Sequence, residues 1–193
     1  MSVIRAFIAI DLPDQIHQCL DKVADELQTR LDEVPVRWVP ANNIHLTLKF
    51  LGDVSTKNLE VLKNLLETEV STHESFEISV GGLGAYPKVR RPRVIWAGIE
   101  GPPELFQLQN AIEALSTRLG YAPDRRKFSA HLTLGRVSRN AQPGEVKRVG
   151  NVLKSYSVGF LGVARVNEVH LFRSDLKPTG AVYTKLLSAK LAD

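Results

Sequence analysis

The sequence predicts an α+β fold, bilobal, in which two lobes related by a pseudo-two-fold each pair a largely antiparallel sheet with helices packed outside and face a central cleft. Two observations of pattern predict it. Short apolar runs of strand length interleave with longer stretches of helical periodicity, and the links between them are short, which favours antiparallel neighbours. The tetrapeptide His-Leu-Thr-Leu also occurs twice, at 45–48 and 131–134, each time at the end of a strand, helix, strand succession. Identical motifs in matching contexts point to two lobes of similar build rather than two unrelated domains.

Taken in order, residues 4–10 form a strand and 13–32 a helix, with Ile16, Leu20, Val23, Leu27 and Leu31 at helical spacing behind Pro13. Strands follow at 36–39 and 44–51. Ser55 caps a helix over 55–70, whose apolar face is Leu59, Leu62, Leu65 and Leu66. Strands at 76–83 and 93–99 lead to a helix over 103–119, with Leu105, Leu108, Ile112 and Leu115 on one face. A strand at 129–137 and a weaker helix at 143–154 come next. Strands at 157–164, 167–173 and 181–187 complete the pattern. Residues 1–193 read as a single domain of two intertwined lobes, each contributing one motif.

The 193 residues are 44% hydrophobic and 24% charged, enough to bury a core without a disulfide or metal staple. The single cysteine, Cys19, falls in the apolar stripe of the first helix and reads as a buried structural thiol. The N-terminal apolar run is broken by Asp11 and Pro13, too soon for a signal peptide or a membrane span, so the expected location is cytoplasmic, with no membrane partner. A net charge of +4, with basic residues gathered at 88–93, 125–127 and 136–148, suits an anionic ligand without specifying one.

Strand alternation gives the motif its chemistry. Leu46, Leu48 and Phe50 fall on one face, for the core, and His45, Thr47 and Lys49 on the other. In the second copy, His131 and Thr133 share a face opposite Leu132 and Leu134. Two such strands facing each other supply two imidazoles, which titrate near neutrality and can act as acid and base, and two hydroxyls that can donate to phosphate oxygens. One copy alone would be no more than the polar face of a strand. Zinc would want three protein ligands, and His17, His73 and His170 lie in a helix, a loop and another strand with no ligand spacing.

The paired motifs, with the strings RAFIAIDLP, RWVPANNIHLTLKFLGDV, FSAHLTLGRV and LFRSDLKPTGAVYTKL, resemble the two-histidine (2H) phosphoesterases, in their branch of bacterial and archaeal 2′-5′ RNA ligases or RNA 2′,3′-cyclic phosphodiesterases. The resemblance implies hydrolysis of a terminal 2′,3′-cyclic phosphate to a 2′-phosphomonoester, with a reversible 2′-5′ ligase activity beside it. It implies His45 as proton donor, His131 as proton acceptor, and Thr47, Thr133 and Arg136 as substrate-binding residues. No metal or nucleotide cofactor is implied. The expected partner is RNA with a cyclic phosphate end, from tRNA halves or oligonucleotides, and the expected state is a monomer with no obligate protein partner.

Strict alternation puts Arg136 on the core face, so its role needs a bulge, for which Gly135 is the candidate. Phe7 is a candidate base-stacking residue, with core packing the more economical role. Trp38 and Trp96 read as core, Lys49 as solvated at a strand end, and His170 as a hydrogen-bonded structural histidine. Two other readings remain open: a non-catalytic RNA-end binding module, and a phosphodiesterase acting on a small cyclic nucleotide or a 2′-5′ linkage.

Overall fold

The strands and helices form where the apolar periodicities place them. The computed structural model describes residues 2–178 and 180–193, so Thr179, within the tail string quoted above, lies outside the described residues. The elements are β1 (Val3–Ile10), α1 (Asp14–Arg30), β2 (Val36–Trp38), β3 (Leu46–Ser55), α2 (Leu59–Val70), β4 (Phe76–Lys88), β5 (Arg91–Glu100), α3 (Pro103–Arg118), β6 (His131–Val137), α4 (Pro143–Ser155), β7 (Phe160–Val166), β8 (Glu168–Lys177) and β9 (Gly180–Lys190). Two antiparallel sheets result, one ordered β3-β1-β8-β9 and the other β2-β6-β5-β4-β7.

The helices cross between lobes. α2 and α3 pack against the first sheet, whereas α1, which leaves that sheet's β1, packs with α4 against the second. The apolar stripes of the four helices meet Ile8, Ile10, Leu46 and Leu171 of one sheet and Ile78, Ile95, Leu132 and Leu134 of the other in one continuous buried core. Burying such stripes stabilises the fold by about 1.5–3 kcal/mol for each large aliphatic side chain.

Each motif strand carries a β-bulge in the same place, and β3 carries a second, further on, at Leu51. In β3, Thr47 opposes Ala9 and Lys49 opposes Ile8, leaving Leu48 without a partner in β1. In β6, Thr133 opposes Trp96 and Gly135 opposes Ile95, leaving Leu134 without a partner in β5. The extra residue reverses the faces beyond it. Two expectations are corrected as a result. Phe50 is not a core residue but 60% exposed, paired with Phe7 on the cleft side. Lys49 does not share the face of Thr47 and is not solvated: it is 1% exposed and turned inward.

Lys49 can be buried because its charge is matched. Nζ donates to Glu113 Oε1 on α3 at 2.9 Å and to the Ala122 carbonyl at 2.8 Å, with Asp124 Oδ2 at 3.6 Å. Glu113 Oε1 also accepts the Asp124 backbone N–H at 2.9 Å. The first motif strand is thereby tied to the segment that runs into the second motif.

Smaller differences have local causes. β3 begins one residue after His45, because a 3-10 turn at Ala41–Asn43 delivers that histidine to the strand's mouth. Ser55 caps a 3-10 turn, Thr56–Asn58, rather than α2 itself; its Oγ accepts from the Lys57 N–H. Cys19 sits at the margin of the apolar stripe and is half-buried, not buried. His170, 5% exposed, pairs its Nδ1 with Ser188 Oγ at 3.0 Å.

Removing the Lys49 ammonium leaves a half-buried carboxylate and a carbonyl without their donor. Lys49→Ala is expected to lower unfolding free energy by about 2–3 kcal/mol in urea titration. Lys63→Ala, which breaks only the helical pair with exposed Glu60, is expected to change it by less than about 0.5 kcal/mol.

Candidate active site

A cleft of about 600 Å³ opens between the lobes, and His45, Thr47, His131, Thr133 and Arg136 all line it. The bulge explains how Arg136 arrives there. It displaces the strand at Leu134, one residue before the glycine that alternation singles out, so Thr133 and Arg136 end on the same side. Gly135 has a different task. A Cβ there would lie 2.9 Å from both the Trp38 ring and Val36 Cγ1, so its absence lets β2 lie close against β6. Trp38, read as core, is half-buried and lines the cleft.

The two motifs correspond in strand register as well as in letters. Thr47 matches Thr133, the bulged Leu48 matches Leu134, and Phe50 matches Arg136, the first residue to return to the cleft. The chemistry at that last position is unequal: an exposed ring on one side, a guanidinium on the other.

His131 is held from behind. Its Nδ1–H donates to the Ser129 carbonyl at 2.7 Å, and because a carbonyl only accepts, the neutral ring carries its proton on Nδ1. Nε2 is then the unprotonated nitrogen. Tyr86, whose hydroxyl donates to Ser129 Oγ at 2.8 Å, stands edge-on to the imidazole with ring centroids 5.0 Å apart. A Cβ on Gly84 would come within 2.2 Å of the Trp96 ring, so that glycine makes room for the neighbouring indole.

His45 is held differently. Phe7 stacks on it at 4.7 Å, and Tyr183 meets it edge-on at 5.3 Å. Burial among these rings pushes its pKa down to about 4, against opposing pulls from the Asn43 backbone and the Asp11 carboxylate. The segment entering His45 is pinned twice: His17 Nε2–H donates to the Ile44 carbonyl at 3.0 Å, and Asn43 Nδ2 to the Ala181 carbonyl at 2.9 Å.

Phe7 is 3% exposed and stacked between His45 and Phe172. Both its faces are taken, so it offers no platform to a base and instead supports the imidazole. Sequence reasoning missed Tyr183, Arg37 and Arg125, which also line the cleft. Tyr183 is brought in by long-range pairing in β9, which no local pattern shows. Its hydroxyl pKa is raised by burial, against the pull of Arg136 and Arg37, so it remains a proton-bearing donor. Among the described residues no group of three or more His, Cys, Asp or Glu is placed to hold a metal ion.

Two imidazoles, the hydroxyls of Thr47, Thr133 and Tyr183, and the guanidinium groups of Arg37, Arg125, Arg126 and Arg136 line one cleft between the two sheets, a set of titrating groups and donors suited to an anion. The chain belongs to the LigT like phosphoesterase family, whose model matches residues 10–96 and again 99–183, one motif in each stretch. It is 34% identical over 183 residues to the RNA 2′,3′-cyclic phosphodiesterase of Methanothermobacter thermautotrophicus, covering 95% of this chain and 96% of that one. With the protein of the same name from Archaeoglobus fulgidus the identity is 35% over 182 residues, covering 94% and 97%. Among solved structures, Escherichia coli LigT complexed with 3′-AMP aligns over the full length of both chains with a TM-score of 0.80 and 26% identity. No described helix is long and apolar enough to cross a membrane.

Because the His45 pKa lies near 4 in the fold and near 6.5 unfolded, the unfolded chain binds a proton that the folded chain refuses between those values. Stability is therefore complete above about pH 6.5 and falls as pH drops towards 4. NMR titration of the free protein is expected to place the His45 midpoint near 4. His45→Gln should flatten the acid loss of stability measured by urea unfolding.

Proposed function

We propose that the protein is an RNA 2′,3′-cyclic phosphodiesterase that opens a terminal cyclic phosphate to a 2′-phosphomonoester by proton transfers at His45 and His131, each lobe contributing one motif. The observation that carries this reading is the convergence of both histidines, both threonines and Arg136 on one cleft, in a family whose relatives bear that name.

The fixed tautomer of His131 suits it to the base. Nε2 takes a proton from water as the water oxygen bonds to phosphorus. The bond from phosphorus to the 3′-oxygen breaks, and His45 gives that oxygen its proton. The 2′-oxygen keeps the phosphate. Solvent then returns a proton to His45 and removes one from His131. Thr47, Thr133 and Arg136 donate to the non-bridging oxygens, where negative charge builds. A 5′-hydroxyl taking the place of water would give a 2′-5′ linkage by the same transfers.

His45 as an acid must carry charge, which its burial opposes. The substrate supplies the counter-charge: a phosphate anion set beside the ring favours the imidazolium. Saturating a nucleoside 2′-phosphate into the cleft is expected to move the His45 midpoint upward from about 4 in the same NMR titration. An unchanged midpoint would remove His45 from the acid role.

The direct test is hydrolysis, in EDTA, of a short RNA ending in a 2′,3′-cyclic phosphate, with the 2′- and 3′-phosphate products resolved. The wild type is expected to make the 2′-phosphate. His45→Ala and His131→Ala are each expected to lose about 10²–10⁴ in kcat with unchanged circular dichroism. Arg136→Gln is expected to lose about tenfold or more in kcat/KM, through loss of a charge-assisted hydrogen bond. A 3′-phosphate product, or a wild type silenced by EDTA, would overturn the reading.

A further inference from the structure

A second cavity, of about 540 Å³, lies beside the cleft and falls within the size range of small-ligand sites. The segment 122–130 separates the two, and four of its residues, Asp124, Arg126, Lys127 and Phe128, line both. On its other side stands α3. The inward face of that helix is Leu105, Leu108, Ile112 and Leu115, all buried, so Phe106 has no part in the core and is 40% exposed. Phe106 meets Phe128 edge-on, ring centroids 6.0 Å apart, in the cavity wall. Asn110, one helical turn further on, shares the face of Phe106 and lines the same space.

We propose that this cavity is a second nucleotide site, which takes the base next upstream of the cyclic phosphate in a single-stranded RNA. The proposal rests on the phosphodiesterase reading for what occupies the first cleft. Three features support an unpaired nucleotide as the occupant. Phe106 offers a ring face to stack on, which suits any base because every base has a π-face. The Asn110 amide offers both a donor and an acceptor to a base edge. Arg126 and Lys127, on the rim common to both cavities, are placed where the phosphate joining two nucleotides would pass.

The dividing segment is also braced. Lys49 Nζ holds the Ala122 carbonyl and Glu113 holds the Asp124 N–H, so the wall is in place before a ligand arrives. Preorganisation of this kind lowers the ordering cost of binding.

The consequence is selectivity for oligonucleotide over mononucleotide ends. Binding is read by titration with two probes, a nucleoside 2′-phosphate and a trinucleotide ending in a 2′-phosphate. Turnover is read on the matching cyclic phosphates. The wild type is expected to bind the trinucleotide more tightly. Phe106→Ala, at an exposed position outside the cleft, is expected to weaken trinucleotide binding about tenfold and to leave the mononucleotide unchanged. A trinucleotide with an abasic penultimate residue should bind the wild type about tenfold more weakly and be indifferent to Phe106→Ala. Equal trinucleotide affinity in wild type and Phe106→Ala, or an equal loss for both probes, would overturn the proposal. Tight, Phe106-dependent binding without turnover of either cyclic phosphate would keep the second site and overturn the phosphodiesterase reading.

Discussion

A β-strand shows one face only every second residue, so a strand that must fill a core and also line a cleft with residues three apart has to break step once. Both motif strands break it at the fourth residue of His-Leu-Thr-Leu, at Leu48 and Leu134. The rest of the site depends on that slip. Before it, Thr47 and Thr133 face the cleft while the leucines pack inward. After it, Phe50 and Arg136 return to the cleft, and Lys49 and Gly135 turn inward. In an unbroken strand the guanidinium of Arg136 would enter the core, and the cleft would lose the cation that stands beside Thr133. The duplicated backbone thus carries unequal chemistry, an exposed ring on one side and a charge on the other, which suits a substrate that is itself unequal at its two ends.

The two half-sites are held facing each other because the lobes are interlocked. α1 crosses to cover the second sheet, and α3 crosses to cover the first. Lys49 then reaches from the first motif strand to the segment that delivers His131. The histidines are braced in contrasting ways. His131 is oriented by one hydrogen bond to Ser129, and His45 is clamped among aromatic rings that orient it but oppose its charge. A phosphate anion set beside the ring would offset that opposition and favour the imidazolium.

Much of this was legible in the sequence, and the exceptions share a cause. Apolar stripes such as Ile16 to Leu27 and Leu105 to Leu115 locate helices because burial demands the spacing. The repeated tetrapeptide locates both histidines because strand alternation puts His and Thr on one face. The bulges were not legible. Nothing in Leu48 or Leu134 marks them, and Gly135 points one residue past the true position, so strict alternation puts Lys49 and Phe50 on each other's faces. Phe7 was ambiguous because its neighbours, Phe172 and Tyr183, are more than 160 residues away in the chain and meet it only through sheet pairing. Lys49 reads as solvated until Glu113 and Ala122, from distant segments, are seen to enclose its ammonium.

The central claim is that the two imidazoles form one proton-transfer unit rather than two separate contributors. It is tested most directly by kcat for a cyclic-phosphate RNA with His45→Ala, His131→Ala and the double variant. Groups that act as a unit are not additive, so the double variant is predicted to fall to about the residual rate of the slower single variant. A double variant whose loss equals the product of the two single losses would mean that the histidines work independently, and would contradict paired transfer.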